Sequence, residues 1–277
     1  MRKVAPEVVL GEIKAEQKPE DRFETVLFLP EGEGRQGEGG LRTQGYFKKS
    51  ETDKPLITVV TVVFNGEAHL EETILSVINQ TYDNVEYIII DGGSTDSTLN
   101  IIKEYENVIN YWVSENDKGI YDAMNKGIKV SEGEWINFMN VGDLLLKIPV
   151  WHLKSNSEDL IYGNEENSGG IQKPRPLKLI EYGEMIACHQ AMFFRVNKIS
   201  YYKEYKIYAD YHLLMEMYNK RKELLYIDEV ICFYADNGIS SKISTIKRKE
   251  KYKSVFMGFG LTGLVKSILY RLFKIKL

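Results

Sequence analysis

The chain has 277 residues but only two cysteines, Cys188 and Cys232, which are far apart and outside any CxxC motif. We therefore expect two buried, reduced thiols rather than a disulfide or a metal-binding pair. The N-terminal residues contain no apolar core of a secretory signal, so we expect a cytoplasmic protein. No charge-free apolar run of about 18 residues occurs either, which argues against a transmembrane helix.

Charge of one sign is not in large excess, because 36 basic and 40 acidic residues give a net charge of -4. The whole molecule thus has no electrostatic reason to bind nucleic acid, and any basic surface must be local. Hydrophobic residues make up 43% of the chain, an ordinary fraction for a soluble globular protein. The length allows one large domain, or one domain with extensions.

Residues 1–54 differ from the rest and are assigned to an N-terminal extension of unknown function. Phe23 to Pro30 is predicted as one short strand. Glu31 to Gly40 is rich in glycine and glutamate and is predicted as a flexible loop. Its segment Gly32 to Gly37 formally matches the dinucleotide motif GxGxxG. We reject that reading because no helical periodicity follows and the loop's glutamates would repel a pyrophosphate.

Residues 55–235 carry the pattern of an α/β domain. Ile57 to Phe64 is rich in β-branched residues and has apolar residues on both faces, as in a buried parallel strand. Further strands are predicted at Val85–Ile90, Tyr111–Val113, Trp135–Met139, Leu160–Tyr162 and Ala191–Phe194, and Leu225–Tyr234 is predicted as a final strand pair or strand-turn. Helices are predicted at Leu70–Ile78, after Ser94, at Asp122–Val130 and at Tyr211–Lys220. Strands alternating with helices imply a largely parallel sheet with right-handed crossovers.

Residues 236–277 form a tail of different character. A basic run extends from Lys247 to Lys253, and apolar residues from Leu261 to Phe273 then follow at helical spacing. This combination suits an amphipathic helix that lies in an anionic membrane interface. The alternative is a helix that docks on its own domain or on a partner.

Polar residues gather where the predicted strands end, and ligands of open α/β sheets bind at that edge. Asp91 could accept hydrogen bonds from a base or a ribose, and Gly92 would let the backbone approach closely. The alternative for both is a simple turn. Asp143 could hold Mg²⁺ or Mn²⁺ together with substrate phosphates, since hard cations prefer oxygen ligands. A structural Gly-Asp turn is the alternative for Asp143.

Other candidates lie on the helices and loops of the same region. Asp117 and Asp122 flank Gly119 and could wrap a ligand, although Asp122 could instead only cap the next helix. Asn125 lies one turn into that helix and could face the site. His189 and Gln190 precede an apolar strand, where the histidine is either structural or part of the site. Asp210 begins a helix and is either its N-cap or a general base for an acceptor hydroxyl.

Three segments in order, Ile57 to Gly66, Ser76 to Tyr82 and Ile90 to Asp96, resemble the opening of a family 2 glycosyltransferase with the GT-A fold. Asp117 to Gly127 is similar to a bacterial subset of that family that builds surface polysaccharides. The resemblance covers about residues 55–235 and lies in the ordered series rather than in any single motif.

The resemblance implies a Rossmann-like, mostly parallel sheet flanked by helices, followed here by the amphipathic tail. It implies inverting transfer from a nucleoside-diphosphate sugar, with a UDP-sugar favoured, to a hydroxyl of a lipid-linked or saccharide acceptor in bacterial cell-surface polysaccharide synthesis. Such an enzyme would be peripheral on the inner face of the cell membrane. A non-catalytic sugar-nucleotide-binding or scaffold protein derived from such an enzyme is the alternative.

The resemblance also assigns roles to single residues. Asp210 would be the catalytic base and Asp143 the metal-side carboxylate of a DxD-like motif. Asn140 stands where that motif usually has its first aspartate, so metal dependence stays open. Ala209 stands where a glutamate usually precedes the base, which is a departure from the family pattern at Asp210. The nucleotide-sugar contacts would come from Asn65, Asp91, Gly92, Asp117, Asp122, Asn125, Asn140, His189 and Gln190.

Overall fold

A computed structural model describes residues 25–154, 157–196, 199–201, 204–235 and 245–273. In these residues one ten-stranded sheet runs through the molecule in the order β1-β4-β3-β2-β5-β9-β7-β10-β6, with β8 paired to β7. The strands are β1 (Gly37–Gly39), β2 (Ile57–Val63), β3 (Val85–Asp91), β4 (Tyr111–Ser114), β5 (Trp135–Phe138), β6 (Leu144–Leu145), β7 (Leu160–Asn167), β8 (Gly170–Gln172), β9 (Met192–Arg195) and β10 (Leu224–Phe233).

Six α-helices connect and cover these strands in the described residues. They are α1 (Leu70–Ile78), α2 (Thr98–Glu104), α3 (Ile120–Lys129), α4 (Val150–Leu153), α5 (Ala209–Asn219) and α6 (Thr245–Phe273). Short 3-10 helices occur at Leu41–Gln44, Leu177–Tyr182 and His189–Ala191.

The central strands β4, β3, β2 and β5 are parallel to one another, as the alternating pattern predicted. The α/β fold class is therefore confirmed. The other half of the sheet is mixed, because β9 is antiparallel to both β5 and β7, whereas β10 is parallel to β7. An all-parallel arrangement is thus limited to β4, β3, β2 and β5. Strand β10 is one continuous strand rather than a pair.

Strand β2 shows why every position of the predicted run is apolar or small. Side chains alternate between the two faces of a strand, and all seven residues of β2 are buried. Val60 and Val62 pack into a core with α3 and α5. Val59 and Val63 pack into a second core with α1 and α2. The sheet is therefore covered by helices on both faces, and the buried strand has no polar side.

The glycine-rich N-terminal segment is not the flexible loop that its composition predicted. Gly37–Gly39 forms β1 and pairs antiparallel with β4 at the edge of the sheet. Its glycines allow this approach, since a Cβ on Gly37 would lie 2.9 Å from the ring of Trp112 and one on Gly34 would lie 2.6 Å from the amide of Asn116. The formal GxGxxG pattern therefore serves packing. Residues 25–30, the described part of the predicted strand Phe23–Pro30, form no strand.

The C-terminal tail is helical from Thr245 to Phe273, with a break at Gly260, where φ is 63°. Small and polar residues such as Ser254, Gly263 and Ser267 face the domain and are buried. The large apolar side chains point outward and are exposed; they are Phe256, Met257, Leu261, Val265, Ile268, Leu269, Leu272 and Phe273. By length and composition α6 could also cross a membrane, which the search for charge-free runs did not anticipate. Residues 236–244 and 274–277 of the predicted tail lie outside the described residues.

The two cysteines meet although they are distant in sequence. Cys188 precedes a 3-10 helix and Cys232 lies in β10, and their sulfur atoms are 3.5 Å apart. Both are free thiols. Cys232 is buried and Cys188 is half-buried, so the expectation of reduced, buried thiols holds fully for Cys232 and in part for Cys188.

Candidate active site

The carboxyl ends of three parallel strands lie side by side. Val63 of β2 pairs in register with Asp91 of β3, and Asp91 pairs with Ser114 of β4. The loops that follow carry Asn65, Gly92 and Asp117, so the structure brings these predicted residues to one edge of the sheet. This is the edge at which ligands of such sheets bind.

Asp91 is the last residue of β3 and is completely buried. Its carboxylate accepts hydrogen bonds from the backbone N–H of Ser94 at 3.1 Å and from the hydroxyls of Ser94 and Ser114. A carboxylate has about four acceptor positions, and the two serines occupy most of them. The geometry therefore supports a role for Asp91 in shaping the loop, and its direct contact with a nucleotide stays a prediction.

Gly92 lies so close to the carboxylate of Asp117 that only a residue without a side chain fits there. An added Cβ on Gly92 would collide with the Asp117 carboxylate. Asp117 is half-buried and accepts the backbone N–H of Gly119 at 2.7 Å. Asn65 is exposed, has a positive φ of 51°, and accepts the backbone N–H of Thr95 at 2.8 Å. These side chains border an open surface at the sheet edge.

Phe64 is a candidate that the sequence reasoning treated only as the end of a strand. Its side chain is 64% exposed beside Gly92, at the point where β2 leaves the core. An exposed aromatic face suits stacking with a nucleobase, because every base presents a π-face. In the sequence, the signal that could have identified Phe64 is its position as the last residue of an apolar run, directly before Asn65-Gly66.

Asp143 lies deeper, in the loop after β5. One carboxylate oxygen accepts the backbone N–H of Ala235 at 2.9 Å, and the other accepts the side-chain amide of Gln190. Burial raises the pKa of Asp143 to about 6. The predicted residues Asp143 and Gln190 are thus brought into direct contact.

His189 joins this group to helix α5. Its Nε2 lies 3.4 Å from the amide nitrogen of Asn140, and its Nδ1 lies 3.8 Å from Oδ2 of Asp210. Burial lowers the pKa of His189 to about 4, so the imidazole is neutral near pH 7. Four predicted residues, Asn140, Asp143, His189 and Gln190, therefore form one cluster that reaches Asp210.

Asp210 lies in the first turn of α5, whose N-cap is Tyr208, so the alternative assignment as N-cap is wrong. Its Oδ1 accepts the backbone N–H of Tyr211 at 2.7 Å and the hydroxyl of Tyr121 at 3.4 Å. The side chain is 19% exposed, and burial raises its pKa to about 6. A partly accessible carboxylate with a raised pKa is suited to accept a proton near neutral pH.

Helix α6 supports the segment in front of Asp210. The carboxylate of Glu250 accepts the backbone N–H groups of Lys206, Ile207 and Tyr208 at 2.8 to 3.1 Å. These donors precede α5, where no intrahelical acceptor exists for them. The tail therefore helps to set the position of the helix that carries Asp210.

Two predicted residues of α3 have structural partners. Gly119 is the N-cap of α3, and Asp122 lies in the first turn, where it accepts the backbone N–H of Lys118 at 3.2 Å. Asp122 thus supports the helix start as the third residue of a capping box does, not as the N-cap itself. Asn125 binds the backbone of Tyr201 with both ends of its amide, at 2.8 and 3.0 Å. It does not face the strand ends, and contact of either side chain with a nucleotide sugar stays a prediction.

Several buried polar atoms in and near this cluster have no hydrogen-bond partner among the residues that the structure describes. They are the side-chain oxygens of Asn137, Asn140, Gln190 and Tyr201. Leaving such an atom unpaired costs about 1–3 kcal/mol, and buried polar groups are normally paired. Two of them, on Asn140 and Gln190, belong to the residues that contact His189 and Asp143, so a polar ligand with hydroxyl donors could pair with them there.

The side chains of this cluster can also be compared with the ligands that a divalent cation requires. Among the described residues, no three His, Cys, Asp or Glu side chains converge as a metal site. Asp143 contributes a buried carboxylate whose raised pKa shows that its negative charge is poorly compensated by the protein. A hard cation that shares Asp143 with the phosphates of a substrate would supply that compensation. The donor set therefore fits a cation held jointly with a diphosphate, and not a cage built by the protein alone.

Comparison with known protein families gives one family match. The family model described as glycosyl transferase family 2 matches residues 58–146. An uncharacterised glycosyltransferase of Mycobacterium tuberculosis is 33% identical over 183 residues, which cover 59% of this chain and 69% of that protein. A PGL/p-HBAD biosynthesis glycosyltransferase of Mycobacterium bovis is 27% identical over 226 residues, 73% of this chain and 85% of the relative.

Solved structures with the same architecture include two that hold nucleotides. Staphylococcus aureus TarS 1-349 in complex with UDP has a TM-score of 0.61 and 18% identity, covering 79% of this chain and 72% of that one. The mannosyltransferase PcManGT from Pyrobaculum calidifontis, in complex with GDP-Man and Mn²⁺, has a TM-score of 0.55 and 13% identity, covering 81% and 77%. At these identities the likeness is one of fold.

Proposed function

The chain belongs to glycosyltransferase family 2 and has the GT-A fold, and we propose that it is an inverting enzyme that moves a sugar from a nucleoside-diphosphate sugar to an acceptor hydroxyl. The observation that carries this proposal is the placement of Asp210. Its partly exposed carboxylate lies 3.8 Å from His189, and the next residue in the chain, Gln190, donates a hydrogen bond to Asp143.

The donor nucleotide would lie along the ends of β2, β3 and β4. Phe64 offers a face for the base, and Asn65 and Asp117 offer polar contacts beside it. Asp91 and Gly92 would shape the loop against which the ribose rests. We favour a UDP-sugar, since TarS, a protein of the same fold, binds UDP and UDP-GlcNAc.

The diphosphate would lie next to Asp143. Asp143 would hold Mg²⁺ or Mn²⁺, which when bound offsets the charge that develops on the leaving diphosphate. Gln190 donates a hydrogen bond to Asp143 and so keeps the carboxylate in place. The presence of Mn²⁺ with GDP-Man in PcManGT supports this arrangement.

Asp210 would take the proton from the acceptor hydroxyl as its oxygen attacks the anomeric carbon. The attack comes from the face opposite the leaving diphosphate, so one displacement inverts the configuration and no covalent intermediate is needed. The sugar becomes oxocarbenium-like, as in glycoside hydrolysis. With a pKa of about 6 the carboxylate is ionised at pH 7 and is a stronger base than an exposed aspartate.

The acceptor class follows from helix α6. Ser254, Val255, Gly263 and Ser267 face the domain and are buried, whereas the outer side carries the exposed apolar residues. The basic run Lys247 to Lys253 precedes those exposed residues. An apolar face with basic flanks binds anionic membrane interfaces. We propose that residues 236–277 place the 55–235 domain on the inner face of the cell membrane, where a lipid-linked or saccharide acceptor of surface-polysaccharide synthesis is available.

A second candidate is a non-catalytic sugar-nucleotide-binding or scaffold protein. Asn140 favours it, because an amide replaces the carboxylate that would give a metal site a second charge. This protein would bind the same donor but would leave it intact.

Titration calorimetry with UDP, GDP, CDP and dTDP, each with and without Mn²⁺, tests the proposal. We expect UDP to bind most tightly and Mn²⁺ to strengthen its binding. Incubation with a panel of UDP-sugars then separates the two candidates, since only an enzyme releases UDP. Absence of binding to all four nucleotides would contradict the transferase and favour the scaffold protein, with Asp91 and Asp143 serving only turns and caps.

A further inference from the structure

The side chains of Asn140 and His189 define which imidazole nitrogen carries the proton. Nδ2 of Asn140 lies 3.4 Å from Nε2 of His189. An amide nitrogen donates hydrogen bonds and cannot accept them. Nε2 of His189 must therefore be the acceptor, and a neutral imidazole then has its proton on Nδ1.

That proton faces the carboxylate of Asp210. Nδ1 of His189 lies 3.8 Å from Oδ2 of Asp210, a long contact of the kind that tightens when a substrate is bound. The other oxygen, Oδ1, is already held by the backbone N–H of Tyr211 and by the hydroxyl of Tyr121. The imidazole therefore approaches the oxygen that the other two donors do not hold.

Because His189 is buried, its interaction with Asp210 depends on which ring nitrogen carries the proton. The side chain of His189 is only 12% exposed, so bulk water does not readily replace the protein partners of its ring nitrogens. With the proton on Nε2, the lone pair of Nδ1 would face Oδ2 and repel the carboxylate. An aspartate at position 140 would accept a proton from Nε2, whereas the amide of Asn140 leaves Nε2 proton-free.

We propose that Asn140 and His189 are positioning residues for Asp210. Asn140 selects the Nδ1–H tautomer of His189, and that N–H orients the carboxylate of Asp210 toward the acceptor hydroxyl. This inference rests on the proposed transferase function, and it assigns Asn140 a task other than contact with the donor.

The tautomer of His189 can be measured without an activity assay. In ¹⁵N spectra of the full-length chain labelled at its four histidines, His189 is identified as the signal that His189→Gln removes. We expect a protonated Nδ1 and an unprotonated Nε2 in the unsubstituted protein. Asn140→Ala removes the donor and should shift the signal toward a mixture of tautomers. A protonated Nε2 in the unsubstituted protein, which would mean that the oxygen of Asn140 faces the ring, overturns the proposal.

A matched pair of substitutions tests the effect on Asp210. In His189→Asn the amide nitrogen can occupy the place of Nδ1 and still donate to Asp210, whereas in His189→Gln it reaches toward the place of Nε2. We expect His189→Gln to lower kcat on the order of 10- to 100-fold, as loss of a supporting partner typically does. His189→Asn should retain most of kcat, and neither variant should change the donor KM.

The outcomes are distinct. Equal losses of kcat in the two variants, with unchanged melting temperatures, would show that His189 only fills space and would overturn the proposal. If either variant fails to fold, the comparison passes to Asn140→Ala, which should lower kcat by the same route. If the unsubstituted protein transfers no sugar, the proposed function fails, and the ¹⁵N spectra still decide the tautomer.

Discussion

Replacing Asp210 by asparagine should remove activity and at the same time stabilise the fold. Burial raises the pKa of Asp210 from an ordinary 3.8 to about 6. The folded protein therefore holds the Asp210 proton more tightly than the unfolded chain does. As the pH rises from about 4 to 7, the folded state loses up to about 3 kcal/mol at 1.36 kcal/mol per pKa unit.

Asparagine avoids this loss because it carries no charge, and its oxygen can still accept the backbone N–H of Tyr211. At pH 7.5 Asp210→Asn should therefore unfold at a temperature roughly 5–10 °C higher than the unsubstituted protein. The advantage should become small as the pH falls to about 4 and should vanish below the unfolded pKa of 3.8, where the carboxyl of Asp210 is protonated in both states. Turnover should fall by on the order of 10²- to 10⁴-fold, the usual contribution of a general base, with donor binding unchanged.

Thermal unfolding of both proteins between pH 4 and 7.5 measures the stability, and UDP release with a soluble acceptor measures the turnover. Asp53→Asn is the control, since Asp53 is an exposed turn residue and its replacement should change neither quantity. A variant that is no more stable at pH 7.5, or equally favoured at pH 4, would contradict the burial argument. Near-normal turnover would remove Asp210 from the role of base.

Three further perturbations address other parts of the site. Asp143→Ala should abolish the strengthening of UDP binding by Mn²⁺ in calorimetry, and an unchanged Mn²⁺ effect would place the cation elsewhere. Phe64→Ala should weaken UDP binding by about 1–3 kcal/mol, the usual worth of base stacking, while binding of inorganic pyrophosphate stays the same; equal losses for both ligands would rule out stacking. Leu261→Glu combined with Leu269→Glu should release the protein from anionic liposomes without changing UDP binding, and retained binding would show that α6 does not contact the membrane by this face.

The fold and the region of the site were accessible from local patterns. Buried strands in a β-α-β series predict a parallel sheet, and the bounds of β2 and α1 agree with the prediction to within one residue. Residues directly after such strands must share one edge, so Asn65, Gly92 and Asp117 could be placed together without coordinates. The antiparallel half of the sheet was not predictable in this way, because short strands carry little periodicity.

The individual tasks of the candidate residues depend on partners that are distant in the chain. Asn125 looked available to a ligand, yet Tyr201, which is 76 residues away, occupies both ends of its amide. Glu250 shows no motif, yet it holds the segment before α5. The edge strand β1 was hidden because glycines, which weaken strand propensity, were needed there for close packing against Trp112.

The sequence by itself determined the fold class, the edge of the sheet at which polar residues gather, and the identity of Asp143 and Asp210 as the carboxylates to test. These properties depend on periodicity and on residue type, which are local. The tertiary structure alone decided which groups are already paired, how burial moves the pKa values of Asp143 and Asp210, and how Asn140 and His189 connect them. Desolvation and hydrogen-bond direction arise only when distant segments exclude water from a common interior, and no local pattern records that exclusion.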